Sequence, residues 1–231
     1  MFRTLLGYGG EVAIIFIGIT ISFLFEQWRE ERQEKKDLIE LSESLINDAE
    51  SLKAKLKDDL EGSDEWIRVL DSIHTERIST HVSKQHLVWL YRLISGQELF
   101  LFVPQSPAYL SATNSGLLEK LPDSVQHSIY NLYHVELLYF DLLYDQQHEN
   151  ISHFRNTILV PSQVGLYDEK TSQLQIDFAK FAGEVQRPEY GNFILETRTL
   201  EKSVYNINER ATSALVKLIN SLHGYRNALK T

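Results

Sequence analysis

The residues best suited to chemistry lie in one stretch. His127, His134, Asp141 and His148 recur at intervals of seven, with Asn131 and Asp145 beside them. On a helix that spacing places all of them on one side. Imidazole and carboxylate are ligands for zinc or iron, and carboxylate–histidine faces build metal sites inside helical bundles. Residues seven apart, however, lie about 10 Å from one another along a helix, so only Asp141, Asp145 and His148 can converge on one ion. A di-iron bundle needs Glu-x-x-His on two helices. The nearest matches, Asp71-x-x-His74 and Asp145-x-x-His148, carry Asp, and Leu138 interrupts the stripe. A solvated helix face is therefore expected, with a metal site at Asp141, Asp145 and His148 as the alternative, and no cofactor is expected. The chain has no cysteine, no Gly-x-Ser-x-Gly elbow and no phosphate-binding glycine loop, which removes thiolate chemistry and the common nucleophile and nucleotide motifs. Tyr130, Tyr133, Tyr139 and Tyr144 sit at helical spacing and read as a core stripe or as the lining of a ligand pocket.

A second chemically unusual residue is Glu11, at the start of an apolar run. Val12 to Phe25 is too short alone to cross a bilayer. With Leu5, Leu6 and Tyr8, the segment Leu5–Phe25 spans about 30 Å as a helix and matches a hydrocarbon core. Phe25-Glu26-Gln27 offers no small residues for signal cleavage, so a retained single-pass anchor is expected. Trp28 and Arg29 then fall at the interface. A carboxylate in a membrane is costly unless it is neutral, paired or near the headgroups. Glu11, Gly18, Ser22 and Arg29 recur on one side of the helix, and Gly18-x-x-x-Ser22 is a small-residue pair of the kind that lets membrane helices approach closely. The expected packing face is Glu11, Gly18 and Ser22. The alternative is an oligomeric channel or effector with Glu11 facing the bundle interior.

The elements that must carry these residues are helical. From Glu26 to about Leu60, Leu38, Leu45 and Leu52 fall at heptad spacing, with Ala49 and Leu56 on the companion position. This amphipathic stripe suits a coiled-coil stalk or packing within a bundle. Gly62-Ser63 reads as a break or a cap, with Ser63 able to cap a helix that carries Trp66, Ile67, Leu70 and Ile73, and Thr75–Val82 reads as a connection. A helix follows over Ser83–Ile94, closed by Ser95-Gly96. Leu99–Val103 reads as a short strand or a buried loop. Ser106-Pro107 starts a helix that Asn114-Ser115-Gly116 stops. Pro122-Asp123 opens a long helix whose apolar face is read as Val125, Ile129, Leu132, Val135, Tyr139 and Leu142, widened by Tyr133, Leu137, Phe140 and Tyr144. A hairpin of Gly165–Tyr167 against Gln173–Ile176 and a short helix near Phe178–Phe181 lie in the least patterned region, 161–191. The last helix is read as Asn192–Leu222, capped at Gly224.

The expected fold is all-α: an N-terminal transmembrane helix continuing into a long stalk helix, then a helical bundle with antiparallel long helices. The expected domains are an anchor at 1–27, an amphipathic stalk at 28–62 and a bundle at 63–231. With 231 residues and 43% hydrophobic content, the part beyond the anchor is large enough for one core, and the net charge of −9 without a basic stripe argues against nucleic acid.

Gly10-Glu11, the Gly18-Ile19 pair and Trp28-Arg29-Glu30-Glu31-Arg32 resemble the N-terminal signature of a bacterial family of uncharacterised membrane-anchored helical proteins. That family commonly reads Trp-Asn-Glu-Glu-Arg, whereas this chain has Arg29 in place of Asn. Leu110–Leu118 is similar to the family's Leu-x-x-Ser-Gly-x-Leu region. The resemblance implies a helical domain tethered to the bacterial inner membrane and supplies no activity. Counting Arg29, Arg32, Lys35 and Lys36 against Arg3 places the domain in the cytoplasm. The longer basic N-terminus common in the resembled family implies the opposite side. The functional expectation is a non-enzymatic scaffold or interaction protein that self-associates through anchor and stalk. Its partners are the lipid bilayer, further copies of itself and a protein partner. The second alternative is a metal-dependent helical-bundle enzyme.

Overall fold

α1 (Phe2–Ile78) is one uninterrupted helix of 77 residues, about 115 Å long at 1.5 Å per residue. The computed structural model describes residues 2–79, 81–96, 106–168 and 173–230, with side chains from Ile15 onward except those of 166–174. The side chain of Glu11 and the segment Leu99–Val103 thus lie outside the described residues. The break expected at Gly62-Ser63 is absent. Ser63 faces inward, and Leu70 and Ile73 beyond it are fully buried, so packing outweighs the roughly 1 kcal/mol by which an interior glycine weakens a helix. The connection after α1 is correspondingly shorter than Thr75–Val82.

The middle helices begin and end where their capping residues stand. α2 (Lys84–Ser95) is capped by Ser83, whose hydroxyl accepts from the His86 amide, and closed by Gly96 at φ 84°. α3 (Pro107–Ser115) has Pro at its first position, Ser106 as N-cap and Gly116 at φ 70° as its stop. Both glycines hold the left-handed conformation that ends a helix without a Cβ penalty. A 3₁₀ turn (Leu117–Lys120) leads into α4, a continuous helical run over 123–162. A two-stranded antiparallel hairpin follows, β1 (Gly165–Asp168) with β2 (Gln173–Ile176), pairing Gly165 with Ile176 and Asp168 with Gln173. α5 (Phe178–Val185) starts at Asp177, whose carboxylate caps the Lys180 amide. α6 (Pro188–Lys230) begins earlier than expected because Pro188 and Glu189 make a favourable first turn. It also runs through Gly224. Tyr225 and Leu229 still pack on the core, and Lys230 still pairs with Glu43 of α1 at 3.0 Å.

α6 lies antiparallel along α1, as the cross-links between them show. Glu43 meets Lys230, Asp59 accepts from Asn208 at 3.0 Å, Asp71 accepts from Arg198 at 3.2 Å, and Arg77 lies beside Gly191. The stripe read as a stalk is what α6 covers. Leu38, Leu45, Ala49, Leu52 and Leu56 are all buried, in one cluster with Val204, Ala211, Leu215, Leu218 and Leu222. Of the two arrangements that the stripe suits, packing within the bundle is the one observed: α1 is exposed through Gln33 and belongs to the body from Leu38. A second apolar cluster packs Leu70 and Ile73 against α2, the end of α4, α5 and the start of α6. Phe154 stacks there on Phe193 with centroids 4.2 Å apart.

α4 carries two π-helical turns, Asn131–Glu136 and Arg155–Leu159. The first explains why the expected apolar face fails halfway. Val125, Ile129 and Leu132 are buried. A π turn holds one residue more than an α turn, so the inward side then moves to Leu137, Phe140, Gln147 and Ile151. Tyr139 and Leu142 are turned out to solvent instead.

Two outcomes follow. Phe140→Ala, at 1% exposure, will destabilise the chain by about 3–5 kcal/mol in urea unfolding, whereas Tyr139→Ala, at 53% exposure, will stay within about 0.5 kcal/mol. The reverse ranking would place the phase shift elsewhere. The second concerns Arg77, which donates to the carbonyls of Val185, Gln186 and Arg187 at 2.8, 3.3 and 3.0 Å and so caps α5. A Cβ on Gly191 would collide with that guanidinium. Arg77→Ala and Gly191→Ala will each lower stability by about 1–3 kcal/mol, and the double variant by less than the sum, since both break one interaction.

Candidate functional site

The histidine face of α4 is solvated. His127, His134, Asp141, Asp145 and His148 are all exposed. Among the described residues no group of three His, Cys, Asp or Glu side chains is placed to hold a metal, so Asp141, Asp145 and His148 are not brought together as a ligand set. One member has a specific partner. His134 Nε2 lies 2.7 Å from the Tyr109 hydroxyl, and Tyr109 stacks on Tyr133 with centroids 4.0 Å apart. The Tyr133 hydroxyl donates to Ser106 at 2.7 Å. Ser106 and the Ala108 amide in turn donate to Asp48 of α1 at 3.0 and 2.8 Å. This relay fixes the start of α3 against α1, with a carboxylate at the helix N-terminus where it is favoured. Burial, with the nearby Asp48 charge, pushes the Tyr133 phenol up to about 12, so it remains a donor.

The exposed end of α1 is the second place of interest. Ile15, Phe16, Ile17, Ile19, Ile21, Phe23, Leu24 and Phe25 are 51–71% exposed. Among the described residues no helix is long and apolar enough to cross a membrane, and the first part of Leu5–Phe25 has no described side chains. Gly18 has open space where a Cβ would stand. Ser22 donates to the Gly18 carbonyl at 2.9 Å and Thr20 to Phe16 at 2.8 Å, so both hydroxyls are satisfied within the helix. Phe25 packs on Trp28, whose ring lies 5.2 Å beneath the Arg32 guanidinium. Arg29 and Arg32 share that side with Lys35 and Lys36, beside Trp28 and Ile39. Glu34, on the other side, pairs with Lys120 at 3.0 Å.

The third place was not legible as a site in the sequence. Between the two apolar clusters, α1, α4 and α6 bring a polar layer into the interior. The Tyr144 hydroxyl donates to Asp59 Oδ1 at 2.8 Å and Asn208 Nδ2 donates to Asp59 Oδ2 at 3.0 Å. Gln147 Nε2 donates to Glu201 Oε2 at 2.7 Å, and Ser63 hydrogen-bonds the same carboxyl. Ser63, Gln147, Glu201 and Asn208 are all buried. Burial raises the Asp59 carboxyl above its ordinary range, against the lowering effect of its two donors. Burial also raises Glu201, and the Asp59 charge adds to it. Tyr144 is pushed up by burial and by Asp59, and stays protonated. One turn from Glu201 on α6, the Thr197 hydroxyl is fully buried and has no hydrogen-bond partner among the described residues. The available signal was spacing: Thr197, Glu201 and Asn208 interrupt the apolar side of α6 at intervals of four and seven.

With the geometry in view, the chain can be placed. It is a helical protein of a family without an assigned activity. It belongs to DUF6090, a family of unknown function whose sequence model matches residues 11–177. No curated protein and no solved structure matches it. The match takes in α1 from Glu11 through β2, and with it Asp59, Ser63, Tyr144 and Gln147. Glu201 and Asn208 lie on α6, beyond it. The resemblance seen in the sequence is thus met at the level of an uncharacterised family.

Removing one donor tests the layer. Tyr144→Phe leaves Asp59 with a single partner and will destabilise the chain by about 1–3 kcal/mol. The loss will be larger at neutral pH than in acid, because the phenol stabilises the charged form of Asp59. Melting curves at the two pH values measure this, and an equal loss at both would mean that Asp59 carries no charge at neutral pH.

Proposed function

We propose that this protein is a membrane-anchored helical scaffold without catalytic activity of its own, held in the bacterial inner membrane by α1 and associating with further copies through the Gly18–Ser22 side of the anchor. The observation that carries this reading is the apolar end of α1. Its large side chains project from the body with none of the described residues covering them, and an apolar surface of that extent in water marks a membrane or protein contact. A bilayer is the occupant that suits its character. The polar hydroxyls are satisfied internally, as hydrocarbon demands. The apolar residues surround the helix on all sides, and an aromatic and basic collar at Trp28, Arg29 and Arg32 follows at the depth where such residues anchor.

The count of Arg29, Arg32, Lys35 and Lys36 favours the body on the cytoplasmic side. Association through the anchor is favoured over association through the former stalk stripe, because Leu38 to Leu56 is already occupied by α6 while Gly18 is open. Small residues let helix backbones meet, and packing rather than apolar burial holds inserted helices together. The body then offers its exposed surfaces, including the outward Leu138, Tyr139 and Leu142, to protein partners.

Carbonate extraction and crosslinking in native membranes test the two parts separately. The intact chain will stay in the membrane pellet at alkaline pH, and its release into the supernatant would overturn the anchor. Gly18→Leu will weaken crosslinking between copies, whereas Ile19→Leu, about a hundred degrees around the helix, will leave it unchanged. Equal crosslinking of Gly18→Leu and the parent would show that the anchor is a passive tether.

A further inference from the structure

The middle of the body holds two carboxyl groups without a counter-ion. Asp59 enters from α1 and Glu201 from α6, and among the described residues the other ionisable group that faces them is the Tyr144 phenol from α4. Among the described residues no Lys, Arg or His is a hydrogen-bond or charge partner of either carboxyl. The arginines that flank the layer on α6 are engaged elsewhere: Arg198 bonds Asp71 at 3.2 Å, and Arg210 bonds Glu136 at 3.1 Å.

Enclosure, not hydrogen bonding, divides the two carboxyls into different roles, since each has two donors: Tyr144 and Asn208 for Asp59, Gln147 and Ser63 for Glu201. Asp59 is only partly buried, and its donors favour the charged form there. Glu201 is more deeply enclosed, at 5% exposure. A second charge there would be buried beside the first with no cation to offset it. Such an arrangement is strongly unfavourable, and a carboxyl so placed keeps its proton instead.

We propose that Glu201 is a proton-binding residue, and that its proton is the latch that keeps α1, α4 and α6 closed across the layer between the two apolar clusters. Release of the proton to solvent leaves two like charges facing each other in the interior. The three helices then separate locally at Asp59, Tyr144 and Glu201, while the clusters on either side stay packed. The sign follows from the direction of the shift. Burial and the Asp59 charge raise Glu201 in the closed state, so closure is most stable in acid. It weakens as pH rises from the ordinary glutamate range through the raised value, and is constant above it. The reading does not depend on membrane insertion or self-association.

Two measurements on the full chain in detergent decide it. Infrared spectroscopy at about pH 6, where an ordinary glutamate is ionised, will show the C=O stretch of a protonated, buried carboxyl, and Glu201→Gln will remove that band. Hydrogen–deuterium exchange, corrected for the intrinsic dependence on pH, will show peptides spanning 59–63 and 201–208 losing protection by roughly tenfold per pH unit within that window, the slope for one proton. Peptides from the parts of the apolar clusters away from the layer, over 41–52, 70–73 and 215–222, will not follow, and Glu201→Gln will flatten the dependence. The absence of the carboxyl band from the unmodified chain overturns the proposal, whether or not the variant folds. So does a band that Glu201→Gln leaves in place, or a pH dependence that the variant retains.

Discussion

The antiparallel packing of α6 on α1 is the constraint on which everything else depends. A helix like the charged half of α1 exposes too much apolar surface along one side to stand alone in water, and helical propensity alone does not fix its length or straightness. α6 supplies the complementary stripe. The two remain in register over most of α6 because ion pairs and hydrogen bonds recur along their length, from Glu43 and Lys230 at one end to Arg77 and Gly191 at the other. α2, α3, α4 and α5 then fill the remaining sides. This explains why α6 does not stop at Gly224: α1 continues beside it and offers Glu43 as a partner, so the extra turn is worth forming.

Much of the fold was legible in the sequence because the signals were local. Ser83, Ser106, Gly96 and Gly116 act where their chemistry predicts, and the hairpin fell on the expected residues. What was illegible depends on tertiary packing. Gly62 looked like a break because a glycine weakens an isolated helix, and only the burial of residues on both sides of it overrides that. Along α4 the expected face holds as far as Leu132, and beyond it only the widening residues Leu137 and Phe140 face inward while Tyr139 and Leu142 do not, because a π turn leaves no mark in a hydrophobic pattern that assumes a constant 3.6 residues per turn. The stripe from Leu38 to Leu56 was correctly read as amphipathic. Periodicity could not tell whether a second copy or the chain's own last helix would cover it.

The candidate sites show the same division. The histidine stripe drew attention because its residue types are reactive, yet it faces solvent. The polar layer drew none, because Glu201 and Asn208 are ordinary in type and notable only for where α6 puts them. A buried carboxyl pair is recognised by what surrounds it, and the surroundings come from three segments far apart in the chain. The family match ends before α6, so the matched residues 11–177 take in the α1 and α4 members of that layer and leave out Glu201 and Asn208.

α1 has one further property. Between Phe25 and Asp59 it contains no proline, no glycine and no π turn, so that stretch lacks the features that bend helices sharply, and it passes without interruption from the exposed apolar end to the polar layer. From Phe25 to Asp59 is about 50 Å of unbroken helix. Such a rod cannot absorb a twist or a tilt at one end by local bending. A displacement imposed on the apolar end therefore meets the body at Leu38, where α1 is gripped by α6 along the side that leads to Asp59, and is not taken up by a bend in between.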